Sequence, residues 1–145
     1  MIKAEDLRIG DLVRVIRDCK YSKRTLCAVT GIPAMKGPDK IKVVSLSAIN
    51  GNDDSPWGTW CCNVEGIPIT PEILEKNGFE MREGTVLYAK NRLALKPLDE
   101  GKGYQAYQIG LGSLRLFCVE VRFVKYVHEL QHILWALGLD AELKV

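Results

Sequence analysis

The chain has 145 residues, of which 47% are hydrophobic and 26% are charged, and its formal net charge is +2. This length fits one domain or two small lobes, and the composition is that of an ordinary globular protein rather than a disordered one. No apolar run approaches the roughly 18 residues that span a bilayer, and the charged opening MIKAEDLRIGD does not resemble a secretory signal. We therefore expect a cytoplasmic protein without a membrane partner.

The five cysteines are an odd number and lack the C-x-x-C spacing of a zinc knuckle. Cys61 and Cys62 are adjacent, and adjacent residues of a strand point to opposite faces of a sheet. This pattern is a poor disulfide framework and favours free thiols in a reducing compartment. Because Cys27 and Cys118 fall within predicted strands, we expect both thiols to be protected in the folded protein.

The first half of the chain has the pattern of short strands joined by loops. Alternating and β-branched residues predict strands at 12–17, 26–32 and 41–46, and the pair Gly10-Asp11 is suited to turn the chain into the first of them. A fourth strand is predicted at 60–65, after the non-periodic loop INGNDDSPWG. Four such strands indicate a small antiparallel β-barrel-like lobe, similar to an SH3 barrel, over residues 1–69.

The charge is unevenly distributed along the chain. Residues 1–45 contain ten Lys or Arg and five Asp or Glu, a net charge of +5, which leaves −3 for the remainder. This asymmetry is compatible with a polyanionic partner such as nucleic acid, but it favours the simpler interpretation of a solvated basic face beside a mildly acidic second half. Candidate phosphate contacts in the first loop are Lys20, Lys23 and Arg24. Trp57, in the loop before the fourth strand, is a candidate for stacking on bases.

Residues 70–145 are predicted to complete an α+β fold, with an antiparallel sheet covered by a C-terminal amphipathic helix. Thr70 as N-cap, Pro71 as first helical residue and Asn77-Gly78 as a stop define a short helix before this sheet. Strands are predicted at 85–89, 92–96, 104–109 and 114–124. The last strand has one apolar face, which we expect to point toward the helix; its residues are Phe117, Val119, Val121 and Phe123.

The most strongly periodic segment covers residues 124–143, VKYVHELQHILWALGLDAEL. At about 100° per residue its aliphatic side chains form one apolar arc, and Gly138 occupies a typical left-handed C-terminal position. His128, His132 and Trp135 fall on the opposite side. Because a solvated face seldom carries a tryptophan, we expect these three residues to form an interface, against the first lobe or against another copy of the chain in a homo-oligomer.

The same helix contains the pattern H-E-x-x-H, formed by His128, Glu129 and His132. Two histidines one turn apart can share a zinc ion, with the glutamate as general base on a metal-bound water. That alternative makes the protein a zinc-dependent hydrolase. However, the chain has no third histidine, and the only acids after His132 are Asp140 and Glu142. The sequence therefore favours a non-catalytic binding or accessory module without a cofactor over the hydrolase.

Three segments, LRIGDLV, GIPITPEILEKNGF and YVHELQHILWALGLDAEL, follow one another along the chain. Together they resemble a family of short, uncharacterised bacterial and prophage-associated proteins that share an IPLT…L…GF segment and a YVHxLQxLxxAL tail. Glu129 and His132 fall on variable positions of that tail, and the chain departs from the pattern near Leu137, where similar tails read Leu-Thr-Gly. The resemblance implies an association with mobile elements and no particular activity. The characteristic tail positions are matched by Tyr126, Val127, His128, Leu130 and Gln131.

Overall fold

The computed structural model describes residues 2, 6–16, 25–32, 43–49, 57–60, 63–82, 84, 87–99, 102–111 and 116–145. The chain forms two compact units, Met1–Ile67 and Pro68–Val145. The first contains a curled, half-barrel antiparallel sheet, and the second contains another antiparallel sheet and a C-terminal helix. The α+β architecture predicted from the sequence is confirmed.

The first unit is built on five strands, which are β1 (Leu12–Val15), β2 (Thr25–Gly31), β3 (Val43–Ala48), β4 (Trp57–Trp60) and β5 (Val64–Gly66). Their order in the sheet is β4-β3-β2-β1-β5, and every neighbouring pair is antiparallel. One face of the sheet carries the core, because alternate residues along each strand are apolar. The core residues are Ile2, Leu7, Val13, Val15, Cys27, Val29, Leu46 and Val64.

The single fourth strand predicted at 60–65 is wrong, because the structure has two strands there. β4 ends at Trp60 and pairs with β3, whereas β5 begins at Val64 and pairs with β1 at the other edge of the sheet. An extended chain covers only about 14 Å between these two residues, but a flat five-stranded sheet is about 19 Å wide. The sheet must therefore curl so that its edges approach each other.

A tight turn leads the chain into β1, as the Gly10-Asp11 pair suggested. Gly10 has a φ of 95°, a conformation that favours glycine, and its N–H donates to the carbonyl of Val29 at 2.7 Å. The buried carboxylate of Asp11 accepts the N–H of Arg8 at 2.7 Å. These bonds satisfy the backbone of the turn, so it can pack directly against β2.

The thiol of Cys27, on β2, is fully buried and takes part in no disulfide, as predicted. The side chain of Cys118 lies outside the described residues, so its predicted protection stays a prediction.

The second unit begins with the short helix α1 (Pro71–Lys76) and ends with α2 (Val127–Ala136). Between them run β6 (Glu80–Met81), β7 (Tyr88–Lys90), β8 (Leu93–Pro97), β9 (Tyr104–Leu111) and β10 (Leu116–Val124). The sheet order β10-β9-β8-β7-β6 is a simple antiparallel meander. The two-residue β6 was not predicted. The buried side chains of this unit include Leu74, Phe79, Tyr88, Leu93, Leu95, Tyr104, Ala106, Val124, Val127, Leu130, Ile133 and Leu134.

α1 begins and ends where the sequence predicts. The hydroxyl oxygen of Thr70 accepts the N–H of Ile73 at 3.4 Å, and proline occupies the first turn. At the other end Gly78 has a φ of 75°. The N–H of Phe79 donates to the carbonyl of Leu74 at 3.0 Å, which is the six-residue bond of a Schellman motif.

α2 ends in the same motif. Gly138 has a φ of 66°, its N–H donates to the carbonyl of Trp135, and the N–H of Leu139 donates to the carbonyl of Leu134 at 2.8 Å. The predicted left-handed glycine is thus confirmed, and the orphan carbonyls of the last turn are satisfied. No helix in the described part of the chain is long and apolar enough to cross a membrane.

A bulge interrupts the apolar face predicted for β10. Glu120 and Arg122 pair with consecutive residues of β9, so Val121 is an extra residue on β10. The bulge changes which residues face the core. Val124 is fully buried, whereas Val121 and Phe123 are 42% and 43% exposed. The prediction that Val121 and Phe123 lie on the core-facing side is therefore wrong.

Candidate functional site: the H-E-x-x-H helix

The H-E-x-x-H sequence lies in the first two turns of α2, and neighbouring segments determine where this helix starts. β10 ends at Val124, directly before it. The first residues of the second unit run alongside: the N–H of Ile69 donates to the carbonyl of Lys125 at 3.0 Å, and Pro68 forms an antiparallel bridge with Tyr126. The entry to the helix is therefore held both by the sheet and by the segment that precedes α1.

Glu129 caps its own helix. Its Oε2 atom accepts the backbone N–H of Lys125 at 2.7 Å and that of Tyr126 at 3.0 Å. The N–H of Glu129 in turn donates to the carbonyl of Tyr126 at 3.1 Å. This is the glutamate half of a capping box, and it places a negative charge at the positive end of the helix. One of the two carboxylate oxygens of Glu129 is therefore engaged by the backbone at the start of α2.

His128 is buried, with only 3% of its surface exposed. Its ring stacks on Tyr126, with centroids 5.8 Å apart and ring planes 9° apart, and meets His132 edge to face at 6.1 Å. The sequence placed His128 on the side away from the core, but the structure buries it, with the ring of Tyr126 stacked on one face of the imidazole.

Burial decreases along this side of α2. His128 is enclosed within the chain, His132 is half-buried, and Trp135, two turns from the start of the helix, is 69% exposed. The interface predicted for these three residues stays a prediction. Trp135 is the residue among them that a partner can reach most easily.

The zinc alternative requires a third protein ligand. Among the described residues, no three His, Cys, Asp or Glu side chains are grouped so that they could hold a metal ion. Asp140, one of the two acids after the motif, uses its Oδ1 to accept the N–H of Glu142 at 2.9 Å in a local turn. In the described structure, the H-E-x-x-H residues build the start of a helix.

Two polar residues that the sequence had not indicated as functional hold the last segment of the chain. Asn77, at the end of α1, donates from Nδ2 to the carbonyls of Ile73 and Lys144, both at 2.7 Å, and its Oδ1 accepts the N–H of Lys144 at 2.8 Å. Gln131, buried on α2, donates to the carbonyl of Ala141 at 3.3 Å. A glutamine inside the apolar arc of a helix is a signal that could have identified this second anchor.

Two groups in the second unit have shifted pKa values, and both shifts have structural causes. A hydrogen bond from the Thr70 side chain, and then one from its own backbone, lowers the pKa of the exposed Glu72. Burial, followed by the proximity of Tyr88 and Glu72, raises the pKa of Tyr104. The Tyr88 and Tyr104 rings pack edge to face at 6.3 Å. The two shifts arise from helix capping and from core packing.

Three of the four residues predicted to contact nucleic acid are not among those that the structure describes. Lys20, Lys23 and Arg24 lie outside the described residues, in the sequence between β1 and β2. Trp57 was predicted in a loop, but its backbone begins β4 and is paired with Leu46. The loop assignment of Trp57 is therefore wrong.

No protein-family model matches the chain, and no curated protein or solved structure is significantly similar to it.

The capping role of Glu129 gives a direct prediction. Glu129→Gln should lower the free energy of unfolding by less than about 1 kcal/mol, because the amide oxygen can accept the same two N–H groups and only the charge at the helix end is lost. Glu129→Ala should lower it by about 1–2 kcal/mol, the usual value of a cap. Urea denaturation followed by circular dichroism measures both, with the exposed Glu142→Ala as control. Equal losses of unfolding free energy in Glu129→Gln and Glu129→Ala would contradict the capping role of Glu129.

Proposed function

We propose that this protein is a non-catalytic accessory module that binds nucleic acid through its basic first unit. The observation that carries the proposal is the charge distribution: residues 1–45 have a net charge of +5, whereas the rest of the chain has −3. Seven of the ten basic residues fall in two segments, 17–24 and 33–42, which separate β1 from β2 and β2 from β3. Basic segments between the strands of a curled sheet suit a ligand that is held by its phosphates.

The second unit supports the non-catalytic part of the proposal. Glu129, the residue a zinc hydrolase would use as its base, binds the backbone N–H groups at the start of α2. The buried thiol of Cys27 takes part in no disulfide, which supports a reducing compartment, and we propose that the protein is cytoplasmic. The resemblance to prophage-associated proteins supports a role in the biology of a mobile element.

Salt dependence of binding tests the nucleic-acid proposal. The protein should bind a fluorescent single-stranded oligonucleotide at low salt, and the logarithm of the affinity should fall linearly with the logarithm of the salt concentration. Reversing the charges of Lys20, Lys23 and Arg24 to glutamate together should weaken binding by about tenfold or more and reduce the slope by about 2. Fluorescence anisotropy at several salt concentrations measures both quantities.

A matched control separates local contacts from overall charge. Arg82, Lys96 and Lys102 are exposed in the second unit, and reversing all three changes the net charge by the same amount. This control should keep the salt slope of the original protein. Absence of binding at low salt would overturn the proposal, and so would an equal loss of affinity in both triple variants.

A further inference from the structure

The end of α1 joins an asparagine directly to a glycine, at Asn77-Gly78. Both residues have structural roles there. Gly78 has a φ of 75°, a conformation that favours glycine, and the side-chain amide of Asn77 holds residues 140–145 through Lys144. Asparagine deamidates most readily when glycine follows it, because glycine has no Cβ to hinder attack on the side-chain amide. The fold therefore has a chemically labile amide at the anchor of its C-terminal segment.

Deamidation of Asn77 needs no reactant other than water. The backbone nitrogen of Gly78 gives its proton to solvent and attacks the Cγ atom of Asn77. A bond forms between these two atoms, the bond from Cγ to Nδ2 breaks, and Nδ2 takes up a proton and leaves as ammonia. Water then opens the resulting succinimide ring, which leaves aspartate or isoaspartate in place of the asparagine. Gly78 is exposed and Asn77 is half-buried, so water reaches the ring.

The folded chain restrains both reacting groups. The N–H of Gly78 donates to the carbonyl of Glu75 at 2.9 Å. The side-chain amide of Asn77 makes three hydrogen bonds, one to the carbonyl of Ile73 and two to the backbone of Lys144. Ring closure must turn the amide away from these partners. Because two of the three bonds go to Lys144, detachment of residues 140–145 removes most of the restraint on the amide.

The products of the reaction cannot hold the C-terminal segment in the same way. In aspartate, a carboxylate oxygen replaces Nδ2 and would face the carbonyl oxygens of Ile73 and Lys144 at the negative end of α1. Isoaspartate adds a methylene to the main chain directly before Gly78, which displaces the left-handed glycine of the helix end. Ammonia has left in both cases, so the original contact does not form again.

We propose that Asn77-Gly78 is a deamidation site that acts as a slow, irreversible switch. Attachment of residues 140–145 protects Asn77 from deamidation, and deamidation of Asn77 releases these residues. The switch uses only residues of the second unit, so it does not depend on the nucleic-acid proposal.

Peptide mapping by mass spectrometry measures the protection. The full-length protein is incubated in mildly alkaline buffer, either folded or in concentrated urea, and conversion of Asn77 is followed with time. Asn50-Gly51, the other Asn-Gly pair of the chain, is the reference in urea, where both pairs should react at similar rates. Asn77 of the folded protein should react about tenfold more slowly or less than in urea, because reaction requires local opening. Equal rates at Asn77 with and without urea would overturn the proposal.

Leu143→Ala tests whether the C-terminal segment provides this protection. Leu143 is buried, and its truncation loosens the segment without changing Asn77 or Gly78. Exchange of the Lys144 amide and deamidation of Asn77 should both accelerate by about tenfold or more. Leu93→Ala, a buried change in β8, is the control for a general loss of stability and should accelerate both much less. Faster exchange in L143A without faster deamidation would overturn the proposal.

Release of the segment is measured on the deamidated protein itself, with no substitution in the second unit. Asn50→Gln removes the other Asn-Gly pair, so the fraction that gains a negative charge on ageing is separated by ion exchange and confirmed by mapping to be deamidated at Asn77. Hydrogen exchange of the Lys144 amide in this fraction should be about tenfold faster or more than in the intact fraction. Unchanged exchange would overturn the proposal.

Discussion

Gly103→Ala is expected to destabilise the second unit strongly. Gly103 has a φ of 98°, and an added Cβ would collide with the carbonyl oxygen of Val124 and lie 3.0 Å from the Cα of Lys125. Both obstacles are backbone atoms, so they cannot move aside as a flexible side chain can. Conformational strain and overpacking together should lower the free energy of unfolding by about 3–5 kcal/mol.

Two glycine controls separate strain from collision. Gly10 has nearly the same φ, 95°, and Gly138 has a φ of 66° within the same unit as Gly103; a Cβ at either position meets no atom within 4 Å. Alanine at these sites should cost only the conformational strain, about 1–3 kcal/mol. Urea denaturation of the three variants measures the difference. Equal losses for all three would contradict the close packing of Gly103 against Lys125.

The contact at Gly103 also positions the candidate site. The turn between β8 and β9 reaches Lys125, and the N–H of Lys125 donates to Glu129 while its carbonyl accepts from Ile69. The segment before α2 is therefore held by the sheet, by its own helix and by the segment before α1. These contacts determine where the helix that carries the H-E-x-x-H sequence begins.

The helix ends were predictable because neighbouring residues encode them. Thr70, Gly78 and Gly138 act through atoms only a few positions away, and the structure has each of them where the sequence indicated. Strand boundaries depend on distant partners. The alternation of residues 60–65 looks continuous, but its two ends pair with different edges of the first sheet. The bulge at Val121 likewise depends on register with β9 and leaves no local signal.

The geometry of the candidate site was harder to predict, because it depends on contacts that the local sequence pattern does not show. A capping box is usually recognised by serine or threonine at the N-cap, but here Tyr126 occupies that position, so Glu129 had the pattern of a catalytic base. The helical angle of His128 placed it away from the core, although the structure buries it and stacks its ring on Tyr126. Asn77 was identified only as a helix stop, since its partner Lys144 is 67 residues away.

Loss of the contact between Asn77 and Lys144 is expected to have the second large effect on stability. Asn77→Ala removes three hydrogen bonds, two to Lys144 and one to the carbonyl of Ile73. At about 1 kcal/mol each, reduced by partial solvent exposure, their loss should lower the free energy of unfolding by about 2–3 kcal/mol. The last segment should also detach locally. Hydrogen exchange of the Lys144 amide should accelerate by about tenfold or more, because its acceptor is gone.

Asn77→Asp gives the sharper form of this test, because it keeps the shape of the side chain and one acceptor oxygen. The atom that replaces Nδ2 would be a carboxylate oxygen facing two carbonyl oxygens at the negative end of α1, so Asn77→Asp should destabilise at least as much as Asn77→Ala. Lys76→Ala, which removes only an exposed 3.3 Å bond to the carbonyl of Val145, should change stability by less than about 0.5 kcal/mol. Unchanged exchange at Lys144 in both Asn77 variants would show that burial of Leu143, which is 8% exposed, holds the segment instead.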